Sequence, residues 1–333
     1  MKIFITMQKD NVSATFFTPR AMEALNALGE VSQNPYDHNL SVEEVLELAG
    51  DADVLIAGWG TCRFSKADIE KMPNLKIIAY TAGSVAPVVT ADAYETGVIV
   101  LGGNDFFAKS VAEGTLAYTL AALRRLEHYM AVMREGGWKE RVFYNRGLFG
   151  KKVGIVGFGA IAKHFVNMIR WYDLDVLIYS SHLSDEDAAK YGARTASLEE
   201  IFSTCDVISI HASDIPKNHG LVSRELMAMM QPDALLVNTA RASVVDMVAL
   251  REMLQDGKFY AALDVYDKEP PLLEDPLRQC KNALLIPHMG GPTLDMRGVI
   301  VEALCKDIVR WQKGEPLQNE IKLEAAVRMT GFK

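Results

Sequence analysis

Short apolar runs recur along the chain, each too brief to be a helix with its own buried face. KIFIT (2–6), DVLIAG (53–58), KIIAY (76–80) and GVIVL (97–101) fall in the first hundred residues, with helical-period stretches such as PRAMEALNALG and SVEEVLELAG between them. A second series runs from KKVGIVG (151–157) to NALLIPH (282–288). Runs apolar on both faces and separated by helices belong to parallel sheets covered on both sides. The fold class is therefore α/β. At 333 residues the chain is also long for one core, so two such units are expected.

A long helix is predicted from about Ser110 to Arg134, opened by SVAE (110–113) as a capping box and broken by GGW at 136–138. A last helix, about 292–313, ends at Gly314. The expected division is residues 1–101 plus 305–333 for one domain and 102–304 for the other, with the tail returning to the first.

The formal charge of −8 argues against nucleic acid or an anionic membrane as the main partner. Cys62, Cys205, Cys280 and Cys305 are scattered, with no metal-ligand spacing, so no metal is expected and the thiols should be reduced. The N-terminus offers five apolar residues before Gln8, too few for a signal-peptide core. A cytoplasmic protein is expected.

KKVGIVGFGAIAKHF (151–165) reads as strand, then Gly157-x-Gly159-x-x-Ala162, then helix. The first glycine permits a tight turn, the second admits a pyrophosphate close to the backbone, and Ala162 is small where helix meets strand. The helix start, with Ala160 and Ile161, offers amides and a partial positive charge to phosphates. This makes the second unit a Rossmann-like dinucleotide-binding domain.

At the end of the next strand, where a ribose-binding acid is usual, the chain has Ser180, followed by Ser181 and His182. Asp185, Glu186 and Asp187 lie further on and fit the acidic first turn of a helix. Without a carboxylate nothing repels a 2′-phosphate, and without an Arg nothing selects it, so NAD and NADP both remain open.

Three later strands are each followed by a reactive residue: Arg241 in ALLVNTARASVVD, Asp264 and Glu269 in AALDVYDKEPP, and His288 in NALLIPHMGGPT. Ligands gather at the carboxyl ends of parallel strands, so these residues can converge. Together with SVAE, VGIVGFGAIA and WQKGEPLQNEI, the segments resemble the D-isomer-specific 2-hydroxyacid dehydrogenases over nearly the whole chain. The resemblance implies a discontinuous substrate domain, a Rossmann cofactor domain and a homodimer. It implies a catalytic Arg241, Glu269 and His288 that serve hydride transfer between the nicotinamide and C2 of a small 2-hydroxy or 2-oxo acid. In that scheme His288 exchanges the proton of the C2 oxygen, Glu269 orients the His288 ring and Arg241 holds the substrate carboxylate.

The resemblance places Thr239, Ala240, Asp264 and Gly290 beside the cofactor; His211, ending the strand DVISI, is expected to line the cofactor cleft. It places Ala82, Gly83 and Ser84, in YTAGSVAP (80–87), against the substrate carboxylate, together with Arg241 and His288. GWG (58–60) follows a strand, which places Trp59 either at the pocket mouth or in the core. Three departures from the family pattern bear on substrate identity: Ser84-Val85-Ala86-Pro87, Ala242-Ser243 after the arginine, and Gly114 after SVAE.

The chain stops at Lys333, and simple, unregulated binding is expected from that length. The alternative is a corepressor-like binding protein of the same fold that senses NADH; the intact Arg–Glu–His set weighs against it. A formate dehydrogenase would carry Gln at position 269.

Overall fold

A computed structural model describes residues 1–139 and 145–332. They form two compact units, Met1–Ala108 with Pro292–Lys333, and Lys109–Gly291.

The first unit is built on a five-stranded, all-parallel sheet of β1 (Lys2–Ile5), β2 (Glu30–Gln33), β3 (Val54–Ala57), β4 (Ile77–Tyr80) and β5 (Ile99–Gly102). The spatial order is β2-β1-β3-β4-β5. Four of these strands are the expected apolar runs. The fifth, EVSQ, is an edge strand with half its residues exposed, so no apolar run announces it.

The helix Leu294–Lys313 belongs wholly to this unit, which corrects the expected boundary at 304/305. Its Ile300, Val301, Leu304, Cys305 and Ile308 share a core with Phe16, Ala21 and Leu25. A Cβ on Gly298 would come within 2.9 Å of Thr18. A helix packed from residue 298 onward cannot be divided at 305.

The second unit carries a seven-stranded parallel sheet of β6 (Lys152–Val156), β7 (Asp175–Tyr179), β8 (Ala193–Thr195), β9 (Val207–Ile210), β10 (Leu235–Asn238), β11 (Tyr260–Leu263) and β12 (Ala283–Leu285). The order is β12-β11-β10-β9-β6-β7-β8, with β6 beside both β7 and β9. The chain winds outward from β6 in both directions, so the switch point lies between β6 and β9. In open α/β sheets this crevice binds ligands.

The expected helix from Ser110 to Arg134 is two helices, Asn104–Leu123 and Leu126–Arg134, separated by Arg125 in the left-handed region at φ 49°. SVAE is not a capping box: Ser110 is buried inside the first helix, which begins at Asn104. Among the described residues no helix is long and apolar enough to cross a membrane. The four cysteines are free thiols.

Candidate active site

Beyond β6 the chain makes its tightest approach to β9. Gly157 has φ +92°, and a Cβ there would fall 2.6 Å from the Ala212 backbone nitrogen. The turn is thus reserved for glycine both by backbone conformation and by space. Gly159 follows as N-cap of the helix Ala160–Ile169, with no side-chain cap and open space where its Cβ would stand. The N–H groups of Gly159, Ala160, Ile161 and Ala162 have no acceptor among the described residues. An uncapped helix start over open space fits a diphosphate, which would satisfy these amides.

His211 lies across the same crevice. Its Nε2 is 2.9 Å from Ser209 Oγ, and its ring lies 5.4 Å from that of Phe165. Burial pushes its pKa down to about 3, so the ring is neutral at physiological pH.

At the end of β7, Ser180 Oγ accepts a hydrogen bond from His182 N at 3.4 Å, closing a short turn through exposed Ser181. The following acids are engaged as the sequence predicts. Ser184 caps the helix Asp185–Ala189, Asp185 accepts from Thr195, and Asp187 pairs with Lys190.

The catalytic candidates of this unit converge. His288 Nδ1 lies 2.5 Å from Glu269 Oε2, and the other carboxylate oxygen accepts the Tyr266 N–H at 3.0 Å. Desolvation pushes Glu269 upward. The hydrogen bonds from His288 and Tyr266, with the charges of His288 and Arg241, outweigh it and hold the carboxyl below its ordinary range. A carboxylate on Nδ1 leaves Nε2 as the nitrogen free to exchange a proton.

Asp264 supports this arrangement from below. It is 1% exposed, and its two oxygens accept the Met289 and Gly290 N–H groups at 2.7 and 2.8 Å. A Cβ on Gly290 would come within 2.7 Å of Asp264 Oδ2. The pair therefore fixes the loop that holds His288 in the left-handed region at φ 52°, a conformation histidine tolerates better than most residues. Burial is the largest influence on Asp264 and raises its pKa in spite of the two amides.

Arg241 is exposed after β10. Buried Asn238 shapes its turn by donating to Arg241 O and accepting from Ala240 N, at 3.1 and 3.0 Å. The Thr239 hydroxyl pairs with Thr115 at 2.8 Å. Thr239, Ala240, Asp264 and Gly290, expected beside the cofactor, thus each have a local structural partner. Asp214, whose pKa is lowered by the Ser243 hydroxyl, by His219 and by the Arg241 charge, adds a second acid in Arg241's field.

In the first unit, Ala82, Gly83, Ser84 and Val85 follow β4, and their N–H groups have no acceptor among the described residues. Consecutive unpaired amides make an anion-receiving concavity. The Ser84 hydroxyl already donates to Thr330 O at 2.7 Å, so it is the backbone at this position that is free. A Cβ on Gly83 would make only ordinary contact with Phe107, at 3.6 Å, so nothing in the protein itself demands glycine there.

Residues 116–290 match the family model described as D-isomer specific 2-hydroxyacid dehydrogenase, NAD binding domain. The chain belongs to the D-isomer-specific 2-hydroxyacid dehydrogenases. It is 32% identical over 306 residues to a D-3-phosphoglycerate dehydrogenase of Methanocaldococcus jannaschii, covering 90% of this chain but 58% of that one. It is 30% identical over 279 residues to a glyoxylate reductase of Thermococcus litoralis, covering 81% and 84%. Among solved structures, the TT0316 protein from Thermus thermophilus superposes with a TM-score of 0.76 at 27% identity, over 97% of this chain and 100% of that one.

The matched NAD-binding domain contains Gly157, Arg241, Glu269 and His288, while the turn at 82–85 lies outside it. Sequence reading missed the brace behind Glu269. Arg251 grips Asp267 (3.0 and 2.6 Å) and Asp275 (3.1 and 2.8 Å) in two forks, pinning both sides of the Glu269 loop. These two aspartates flank Glu269 within DKEPPLLED, a cluster that reads as a solvated acidic loop until its cation is located.

Proposed function

We propose that the chain transfers a hydride between NAD(P)H and C2 of a small 2-oxo or D-2-hydroxy acid. The observation that carries this reading is the His288–Glu269 pair, with one imidazole nitrogen held by a carboxylate and the other free. Gly157, Gly159, Ala160 and Ile161 would hold the diphosphate through their turn, and Ser180, Ser181 and His182 the adenosine ribose. The dinucleotide, when bound, supplies or accepts the hydride. In reduction, His288 Nε2 gives its proton to the 2-oxo oxygen, and in oxidation the same nitrogen takes it from the hydroxyl. Glu269 orients the ring through Nδ1. Arg241 offers a planar fork to the substrate carboxylate and polarises the 2-oxo group.

A panel of 2-oxo acids assayed with NADH and with NADPH tests the reading, and no turnover with any pair would overturn it. Position 180 is tested separately. Ser180→Asp is expected to weaken NADPH use far more than NADH use, because a carboxylate repels the 2′-phosphate. Equal effects on the two cofactors would remove residue 180 from the ribose site.

The working protein is a cytoplasmic homodimer in this proposal. Leu126, Met130 and Met133 lie exposed at helical spacing on Leu126–Arg134, with exposed Trp138 just beyond, a patch suited to a second copy. Sedimentation equilibrium is expected to give twice the mass of the 36.8 kDa chain, and a monomer at micromolar concentration would refute it.

A further inference from the structure

The first unit holds a guanidinium that the mechanism above does not use. Arg297 is the fourth residue of the helix Leu294–Lys313, where the helix dipole disfavours a cation. Its carbon lies 5.2 Å from the Trp59 ring centroid and 5.4 Å from that of Phe16, and those two rings are perpendicular at 89°. Nη1 donates to Thr15 Oγ1 at 3.0 Å and Nε to Pro292 O at 3.3 Å. An arginine has five N–H donors. The remaining three, including both on Nη2, have no acceptor among the described residues, and no described acid forms an ion pair with the group. The nearby arginines of the same unit are paired, Arg20 with Glu302 and Arg310 with Asp307. Desolvation lowers the Arg297 pKa, with no opposing acid to restore it.

The surroundings suit a ligand. Trp59 follows β3 and is 39% exposed. It stands edge-on to Phe107 at 6.1 Å, and Phe107 in turn lines Gly83 of the free-amide turn after β4. β1 and β3 flank the switch point of this sheet, and the carboxyl ends of such strands form a ligand crevice. A rigid, half-desolvated fork with spare donors matches a carboxylate or phosphate in two-point geometry.

We infer that Arg297 receives a second anionic group of the substrate, so that the preferred substrate is a 2-oxo acid carrying a further carboxylate or phosphate. The first carboxylate then falls to the 82–85 amides. Trp59 and Phe107 contact the carbons between the two charges. This inference rests on the oxidoreductase reading.

The test compares kcat/KM for 2-oxobutanoate, 2-oxoglutarate, oxaloacetate and 3-phosphooxypyruvate in the wild type, Arg297→Met and Arg297→Lys. The wild type is expected to prefer a doubly charged acid over 2-oxobutanoate by about tenfold or more. The dicarboxylate and phosphate arms show which anion it takes. Arg297→Met should lose about 10- to 100-fold on the preferred acid, the value of one forked charge pair, while 2-oxobutanoate changes by less than about threefold. Arg297→Lys, which keeps the charge and loses the fork, should fall between.

A wild type that prefers 2-oxobutanoate, or equal losses on all acids, would overturn the inference and leave Arg297 as a packing residue. The wild-type preference decides the matter even if Arg297→Met does not fold. Calorimetric titration with succinate, inorganic phosphate and acetate separates this inference from the function proposed above. Saturable binding of either dianion, weakened in Arg297→Lys and lost in Arg297→Met, supports the anion site even if no 2-oxo acid is turned over. Turnover without charge preference and without dianion binding sinks the site alone.

Discussion

Replacing His288 with alanine is expected to lower kcat/KM for reduction of the preferred 2-oxo acid by about 10²–10⁴-fold, the range for loss of a positioned general acid. The argument is geometric. Nδ1 is held by Glu269 and Nε2 is free, so the ring is oriented for a single proton exchange. NADH affinity, measured by fluorescence titration, should be unchanged, because the glycine turn after β6 proposed to hold the diphosphate makes no use of residue 288. A near wild-type rate would refute the role.

Glu269→Gln refines the same expectation. Glu269 is held below its ordinary range and so is charged at neutral pH. The variant keeps an acceptor for Nδ1 but loses the charge, and a charge-assisted bond is the stronger of the two, so kcat for reduction should fall by about tenfold. An unchanged kcat would mean that the charge of Glu269 plays no part in holding the ring.

What was legible from sequence follows from periodicity and spacing. Central strands are apolar on both faces, so VLIA, IIAY and VISI announced themselves, whereas edge strands EVSQ and ART carry polar residues that water tolerates. The helix start at Asn104 was hidden because SVAE looks like a cap wherever it occurs. Only the packing of Phe106, Phe107 and Ala108 in the first unit shows that the helix begins earlier. Arg241, Glu269 and His288 were readable as candidates because each follows a strand.

The brace by Arg251 and the lack of an ion pair to Arg297 among the described residues were not readable. An arginine's partner, or its lack of one, is a property of three-dimensional neighbours up to 282 residues away. Asp264 shows the same limit. Its position after β11 was clear, but its hold on two amides of the His288 loop needed coordinates.

Asp307→Ala is expected to destabilise the first unit by about 2–5 kcal/mol, because it leaves four hydrogen-bond donors without their shared acceptor at once. Asp307 is 0% exposed on the helix Leu294–Lys313. Oδ1 accepts from Arg310 Nη1 at 2.7 Å and Gln318 N at 2.9 Å, while Oδ2 accepts from Asn319 N at 2.7 Å and Asn319 Nδ2 at 2.8 Å. Those bonds fold the chain back after Gly314, so that Asn319 O accepts from Gly102 N and Ile321 N donates to Val100 O, covering the edge of β5. Desolvation raises the Asp307 pKa, but the Gln318 amide, Arg310 and Asn319 together bring it below the ordinary value.

The sign of the pH dependence follows. A carboxyl depressed in the folded state contributes its full stability above its unfolded pKa and loses it as pH falls through the folded one. Urea unfolding followed by circular dichroism should therefore show the full wild-type-to-variant gap at neutral pH. The gap should narrow below the usual carboxylate range, where the wild-type side chain also becomes protonated. A gap that stays constant into acid would mean that the loss comes from packing rather than from the charge that Asp307 holds.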